Sequence, residues 1–97
     1  MKAAEIVQQL KTSGELSEAA VVRWARLAER LAVLERVADQ GSVTVVKIDG
    51  EREREKFTVL VTGGAFASEP FRADGDDLAA LLDQAIERCF EDDVEDA

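Results

Sequence analysis

The sequence lacks several residue types on which common protein chemistry depends. Its 97 residues include no His and no Tyr, and only one each of Cys, Pro, Met and Trp. His is the commonest general base and the commonest side-chain ligand of metals. The single cysteine, Cys89, excludes an internal disulfide and a zinc site built from cysteines. Since no nucleophile or phosphate-binding motif is present either, we expect no enzyme activity, no metal and no cofactor.

Long apolar runs are missing as well. No stretch approaches the roughly 20 apolar residues that a membrane-spanning helix needs. The N-terminus reaches Glu5 and a Gln pair too early to resemble a secretory signal. A lone cysteine is typical of a reducing compartment. These features predict a cytoplasmic protein, and we expect a bacterial or phage source.

Apolar residues are nevertheless plentiful, at 46% of the chain, so the protein can bury a core. Its length predicts one domain over residues 1–97. Residues 1–40 predict a helical hairpin, in which a short helix over 3–12 stops at Gly14. A second helix, capped by Ser17, then runs without Gly or Pro to Asp39.

The second helix carries a heptad pattern. Its apolar residues are spaced as in helices that pack side by side, and we call this set the heptad seam: Ala20, Trp24, Leu27, Leu31, Leu34 and Ala38. A neighbouring strip of small residues makes the helix apolar on two sides. The pattern predicts either a central core helix or a dimer interface, and it does not distinguish the two.

Residues 42–62 predict a β-hairpin, because 42–49 and 57–62 are rich in β-branched residues. Asp49-Gly50 is typical of a two-residue turn. That turn, however, would pair the first strand with charged residues 51–56. Matching the apolar stretches places Val46 opposite Thr58 or Val59 and makes 49–55 a longer charged loop.

The remainder predicts a loop over 63–73, either irregular throughout or containing a short third strand near 68–72, and an acidic helix over 74–91. Asp74 or Asp76 would cap that helix, and 92–97 would be a frayed tail. The fold class is α+β in the order α-α-β-β-α. A small antiparallel sheet packs against a long central helix and the C-terminal helix.

The formal charge of −9 is concentrated at one end of the chain. Residues 1–68 hold ten acids and ten bases, whereas 69–97 hold eleven acids and two bases. On a helical wheel, several acids of the last helix share one side, and the next ones follow at its end. We call this set the acidic stripe: Asp76, Asp83, Glu87, Glu91, Asp92 and Asp93.

The acidic stripe predicts an interaction protein. Like charges four residues apart destabilise a helix, and acids at its C-terminus oppose the helix dipole, so a stripe kept despite these costs indicates a binding role. We expect an inhibitor or regulator that docks this helix on a basic partner, such as a nucleic-acid-binding protein, by mimicking phosphate charge. In size and charge plan alone, the chain resembles small phage-encoded inhibitors such as anti-CRISPR proteins.

A second interpretation belongs to another class. The chain could be a homodimeric structural or chaperone-like module assembled through the heptad seam, with an acidic helix that only keeps it in solution. Direct nucleic-acid binding is not expected, because a domain at −9 repels phosphates. Membrane binding is not expected either.

Overall fold

A computed structural model describes the backbone of residues 1–95 and the side chains of residues 1–90. Four helices and three strands follow one another along the chain: α1 (Ala3–Ser13), α2 (Glu18–Ala25), α3 (Leu27–Ala38), β1 (Val43–Ile48), β2 (Phe57–Gly63), β3 (Phe66–Gly75) and α4 (Leu78–Glu95). The strands form one antiparallel sheet in the order β1-β2-β3. The α+β class predicted from the sequence is confirmed.

The N-terminal helices begin and end close to where the sequence predicts. Gly14 ends α1 in the left-handed conformation, at φ 84°, which a residue without Cβ adopts most easily. The Ser17 hydroxyl accepts a hydrogen bond from the Ala20 N–H at 3.1 Å and caps α2.

The predicted continuous second helix is wrong at one residue, because it is divided into α2 and α3 at Arg26. The Arg30 guanidinium donates to the Arg26 carbonyl oxygen at 2.8 Å. Arg26 is both the C-cap of α2 and the N-cap of α3, so the two helices meet at this residue.

The predicted register of the hairpin is confirmed. Val46 pairs with Val59, and Ile48 with Phe57, so the strands are joined by residues 49–56. Val59 and Val61 are fully buried on the helix-covered face of the sheet. A tight turn at Asp49-Gly50 would have placed the charged residues 51–56 opposite the apolar strand β1, so burial decides the register.

The loop predicted over 63–73 is wrong, because most of it is strand β3, longer than the short strand considered near 68–72. Gly63 and Gly64 both have positive φ and reverse the chain beside a β-bulge. Phe66 and Phe71 are buried with four exposed residues between them. This spacing lacks the alternation by which strands are recognised in a sequence.

Helix α4 packs against one face of β2 and β3, α3 packs against α4 and β1, and these elements together enclose the core. Its buried residues are Leu27, Leu34, Phe57, Val59, Val61, Phe66, Phe71, Leu78, Leu81, Leu82 and Ala85. The cap of α4 is Asp77, not Asp74 or Asp76, since Asp77 Oδ1 accepts from the Ala79 N–H at 3.1 Å. The helix runs past the predicted end at residue 91, and the rest of the predicted tail, 96–97, lies outside the described residues.

Candidate functional site

The acidic stripe is partly neutralised inside the molecule. Asp83 forms a bidentate ion pair with Arg30 of α3, at 2.6 Å from Arg30 Nε to Oδ1 and 3.3 Å from Nη2 to Oδ2. The Asp83 hydrogen bond raises the pKa of Arg30 further above its ordinary value. This pair joins α3 to α4, so Asp83 has a structural partner.

Of the five other members of the acidic stripe, the structure describes the side chains of two, Asp76 and Glu87. Asp76 precedes α4 and accepts a hydrogen bond from the Glu55 N–H at 2.6 Å, while Glu87 is exposed on the helix. Arg88 is turned toward β3, where it donates to the Glu69 carbonyl at 2.8 Å and pairs with the Glu69 carboxylate at 3.3 Å. The side chains of Glu91, Asp92 and Asp93 lie outside the described residues.

The heptad seam is divided between the core and the surface. Leu27 and Leu34 are buried against the sheet and α4, whereas Leu31 remains 44% exposed. Trp24 contacts Phe57 edge to face, with 5.8 Å between ring centroids. Ala20 is half-buried and Ala38 is exposed. The seam residues therefore do not form one continuous surface for a partner helix.

Strand β1 has an unpaired edge and two exposed faces. Val43 and Val45 lie on the face away from the helices, and Val46 and Ile48 lie on the helix side. Both faces are exposed, since Val43 on the first is 57% exposed and Ile48 on the second is 60% exposed. The Asp49 N–H donates to the Lys56 carbonyl at 2.7 Å. Backbone groups alternate in direction along an antiparallel strand, so Thr44, Val46 and Ile48 direct their N–H and C=O groups to the open edge.

The opposite edge of the sheet is protected. Strand β3 carries Pro70, which has no N–H to offer, and its exposed Glu69 is engaged by Arg88 from α4. Proline, charge and cover by another element are the usual devices that keep an edge from pairing. Among the strands that the structure describes, β1 has neither a proline nor a covering element at its open edge, and its one charged residue, Lys47, pairs with Asp49 at 3.3 Å.

A cleft lies where the α2–α3 junction, the start of β2 and the start of α4 meet. Its volume is about 490 Å³, and its walls include Arg23, Arg26, Lys56, Trp24 and Phe57. The Lys56 Nζ lies 5.5 Å from the Phe57 ring centroid. Clefts of roughly 300–1,000 Å³ are typical of small-molecule sites.

The outer face of the sheet, away from the helices, carries a charged network around Arg52. Arg52 Nη1 donates to Thr58 Oγ1 at 3.0 Å and to Asp74 Oδ1 at 3.1 Å, and Arg52 Nε lies 3.2 Å from Asp49 Oδ2. The Thr58 hydroxyl also donates to Asp74. It contributes most to the lowered pKa of Asp74, and Arg52 and Arg72 lower it further against the opposing effect of partial burial.

Sequence reasoning missed the β1 edge and the cleft for different reasons. The edge had a signal, because Val43, Val45, Val46 and Ile48 place apolar residues on both faces of one strand. That pattern belongs to a strand covered on both sides. The cleft had no such signal, because the register of the hairpin is what places Lys56 beside Arg23 and Arg26.

Three surface features therefore await an explanation: the acidic stripe, the open β1 edge and the cleft. Among the described residues, no helix is both long and apolar enough to cross a membrane. The chain matches no protein-family model, no curated protein and no solved structure.

Proposed function

We propose that the protein is a non-enzymatic interaction module that works as a homodimer, and that two copies pair through the open edge of β1. The observation that carries this proposal is the contrast between the two sheet edges. Strand β3 is protected by Pro70 and by the contact of Arg88 with Glu69, whereas β1 exposes a run of β-branched residues. Exposed apolar edges of this kind pair with other strands.

A second copy fits this edge because the strand can pair with itself. In an antiparallel register centred on Val46, Thr44 of each copy faces Ile48 of the other. All of these residues direct their backbone groups to the open edge, so they supply the hydrogen bonds. Lys47 then faces Val45 rather than the other Lys47, and its charge is already balanced by Asp49 at 3.3 Å.

The pairing would also cover apolar side chains that the single chain leaves exposed. Val46 and Ile48 lie on the helix side of the sheet, and Val43 and Val45 lie on the other. Each would gain a neighbour from the added strand on its own face. This interface differs from the heptad seam suggested by the sequence, because Leu27 and Leu34 are used within the core.

The test is Val46→Pro, measured by sedimentation equilibrium. The Val46 N–H points to the open edge, so proline there removes a donor that the dimer needs and the single chain does not use. We expect the wild type to form dimers with rising concentration, and V46P to stay monomeric with unchanged far-ultraviolet circular dichroism.

Val46→Thr is the matched control, because it keeps the N–H and the β-branched shape. It should dimerise nearly as well as the wild type. A wild-type protein that stays monomeric at millimolar concentration would refute the proposal. Dimers of V46P as stable as those of the wild type would refute pairing through β1.

A second candidate function retains the acidic stripe, and the position of Arg88 favours it. Arg88 is the one base of the described part of α4, and its contact with Glu69 turns it away from Glu87. We propose that Glu87 and the acids after it dock on a basic protein surface, with a cytoplasmic location for both functions. Charge-driven binding of this kind weakens as salt rises.

The test of this second function is a pull-down from host lysate at low and high salt. Glu87→Gln with Glu91→Gln should lose a salt-sensitive basic partner, while the Asp83–Arg30 pair stays intact. The control is Glu5→Gln with Glu15→Gln, which removes the same charge from the exposed N-terminal region. A partner retained equally by both double variants would contradict docking through α4.

A further inference from the structure

The cleft beside Trp24 has an unusual charge for this protein. The chain has 21 acids against 12 bases, yet three bases, Arg23, Arg26 and Lys56, border one cleft. Among the described residues, none of these three side chains takes part in an ion pair within 4.0 Å. The chain has acids in excess, so a lack of carboxylates does not explain why these three bases form no ion pair.

The two acids that also line the cleft are engaged with the backbone. Asp76 Oδ1 accepts from the Glu55 N–H, and Asp77 Oδ1 accepts from the Ala79 N–H as the cap of α4. The N-terminus of α4 is therefore already satisfied by Asp77 and is not the anion site. Hydrogen bonds to neutral N–H groups leave both carboxylates charged, so three bases and two acids give the lining a net charge of +1, and the three cations can still bind a negatively charged group.

The cleft also has an aromatic wall. Trp24 and Phe57 meet edge to face, with an interplanar angle of 72°, and Trp24 keeps 37% of its surface exposed. The indole is thus fixed by its neighbour and still accessible from the solvent. A flat ring of a ligand could pack against it, as bases do on aromatic side chains of nucleotide-binding proteins.

We propose that this cleft binds a small aromatic anion of the nucleoside monophosphate class. The phosphate would lie among Arg23, Arg26 and Lys56, and the base would pack against Trp24. Arginine is suited to a phosphate because its planar guanidinium donates two hydrogen bonds in parallel. This site is separate from the open β1 edge, so V46P should leave it intact.

Trp24 reports on the proposed site directly, because it is the only tryptophan. The experiment titrates AMP, CMP, GMP and UMP against its fluorescence, excited at the red edge of the indole band, where nucleobases do not absorb. We expect a saturable change with at least one nucleotide. Adenosine and inorganic phosphate, which supply only half of the contacts, should each bind at least about tenfold more weakly than the best nucleotide.

Arg26→Gln removes one phosphate contact without shortening the side chain greatly, and it should weaken binding about tenfold. Arg36→Gln is the matched control, since Arg36 is exposed ten positions further along and does not line the cleft. It should bind like the wild type, and circular dichroism checks that both variants are folded.

Three results would overturn the proposal. The first is an unchanged Trp24 emission with all four nucleotides up to millimolar concentration. The second is binding of inorganic phosphate as strong as that of the nucleotides, which would leave only an anion site. The third is an equal loss in R26Q and R36Q, which would mean attraction by overall charge alone.

Discussion

At the scale of single residues, Arg52 decides how the long hairpin loop is held. Besides its contacts with Asp49, Thr58 and Asp74, it donates to the Glu55 carbonyl at 3.1 Å. The loop thereby folds back over the outer face of the sheet and buries the Thr58 side chain. A loop that the sequence shows only as a run of charged residues is organised by one guanidinium.

The first prediction concerns the pH dependence of this network. The pKa of Asp74 lies below its ordinary value of 3.8, so its ionised form favours the folded chain. The resulting stabilisation is complete at pH values above the ordinary pKa, and it is lost as the pH falls through the lower pKa of the folded chain. Asp74→Asn should therefore unfold more easily than the wild type near neutral pH, with the difference shrinking between about pH 5 and pH 2.

Chemical denaturation across that range measures the effect. Asp39→Asn is the control for the loss of one carboxylate, because Asp39 is exposed at the end of α3 and does not belong to the Arg52 network. A D74N penalty that grows on acidification would contradict a lowered pKa.

The second prediction concerns Gly63, at the bulge between β2 and β3. Its φ is +75°, and a Cβ there would lie 2.6 Å from the Gly41 carbonyl oxygen. Gly63→Ala should lower the free energy of unfolding by about 2–4 kcal/mol, because strain and a backbone clash add. Gly50→Ala is the matched control in open space with ordinary φ, and it should change the stability little.

Both variants can be compared by thermal and urea unfolding. Equal stabilities of G63A and G50A would mean that the turn at 63–65 relaxes without cost.

At the scale of elements, helix α1 stands apart from the rest. None of its residues is buried, and Ile6 and Val7 are both more than 40% exposed. The chain continues from it through Gly14 into α2, and α1 has no substantial packing against the sheet or the other helices. Its amphipathic face is therefore free for contacts outside the chain.

The third prediction follows from this separation. Deletion of residues 2–13 should change the free energy of unfolding of the remainder by less than about 0.5 kcal/mol. Leu34→Ala, which opens the core beneath α3, should by contrast cost about 2–5 kcal/mol in the same urea titration. A comparable loss in the deletion would show that α1 packs on the core.

The elements also show how far the sequence predicts this fold. The register of β1 on β2 follows from matching apolar stretches, because any one-residue slip would expose Val59 and Val61. Strand β3 does not follow, since Phe66 and Phe71 lack regular alternation and Pro70 lies between them. The division at Arg26 has no signal in the sequence, because no Gly or Pro lies between residues 15 and 40.

At the scale of the whole molecule, the chain is elongated. Its radius of gyration is 16.0 Å and its long axis 52 Å, whereas a compact domain of this length has a radius of gyration of about 12–13 Å. The net charge is thus concentrated at one end of the sequence and the shape is elongated. Formation of a single core requires neither property. This asymmetry agrees with a chain whose remaining surfaces serve contacts with other molecules.

The fourth prediction is measured by small-angle X-ray scattering on the V46P variant, which we expect to be monomeric. Its radius of gyration should be close to 16 Å rather than about 12–13 Å. The α1 deletion should move it toward the compact value. A full-length V46P monomer that already scatters as a compact sphere would mean that α1 folds back in solution.

The candidate sites were only partly predictable at this scale. The sequence reveals the acidic stripe, because charge can be counted along the chain, but it does not reveal that Asp83 forms an ion pair with Arg30. It reveals the heptad seam, but it does not reveal which of the seam residues are buried in the core. Pairings between distant residues decide both questions, and these depend on the fold as a whole.

The protected edge of β3 has a consequence for growth. A sheet with two open edges can add strands without limit and form fibrils, whereas this sheet has one open edge and one closed by Pro70 and Arg88. Pairing through β1 uses up the only open edge of both copies at once. Assembly by this route would therefore stop at two chains instead of extending into a fibril.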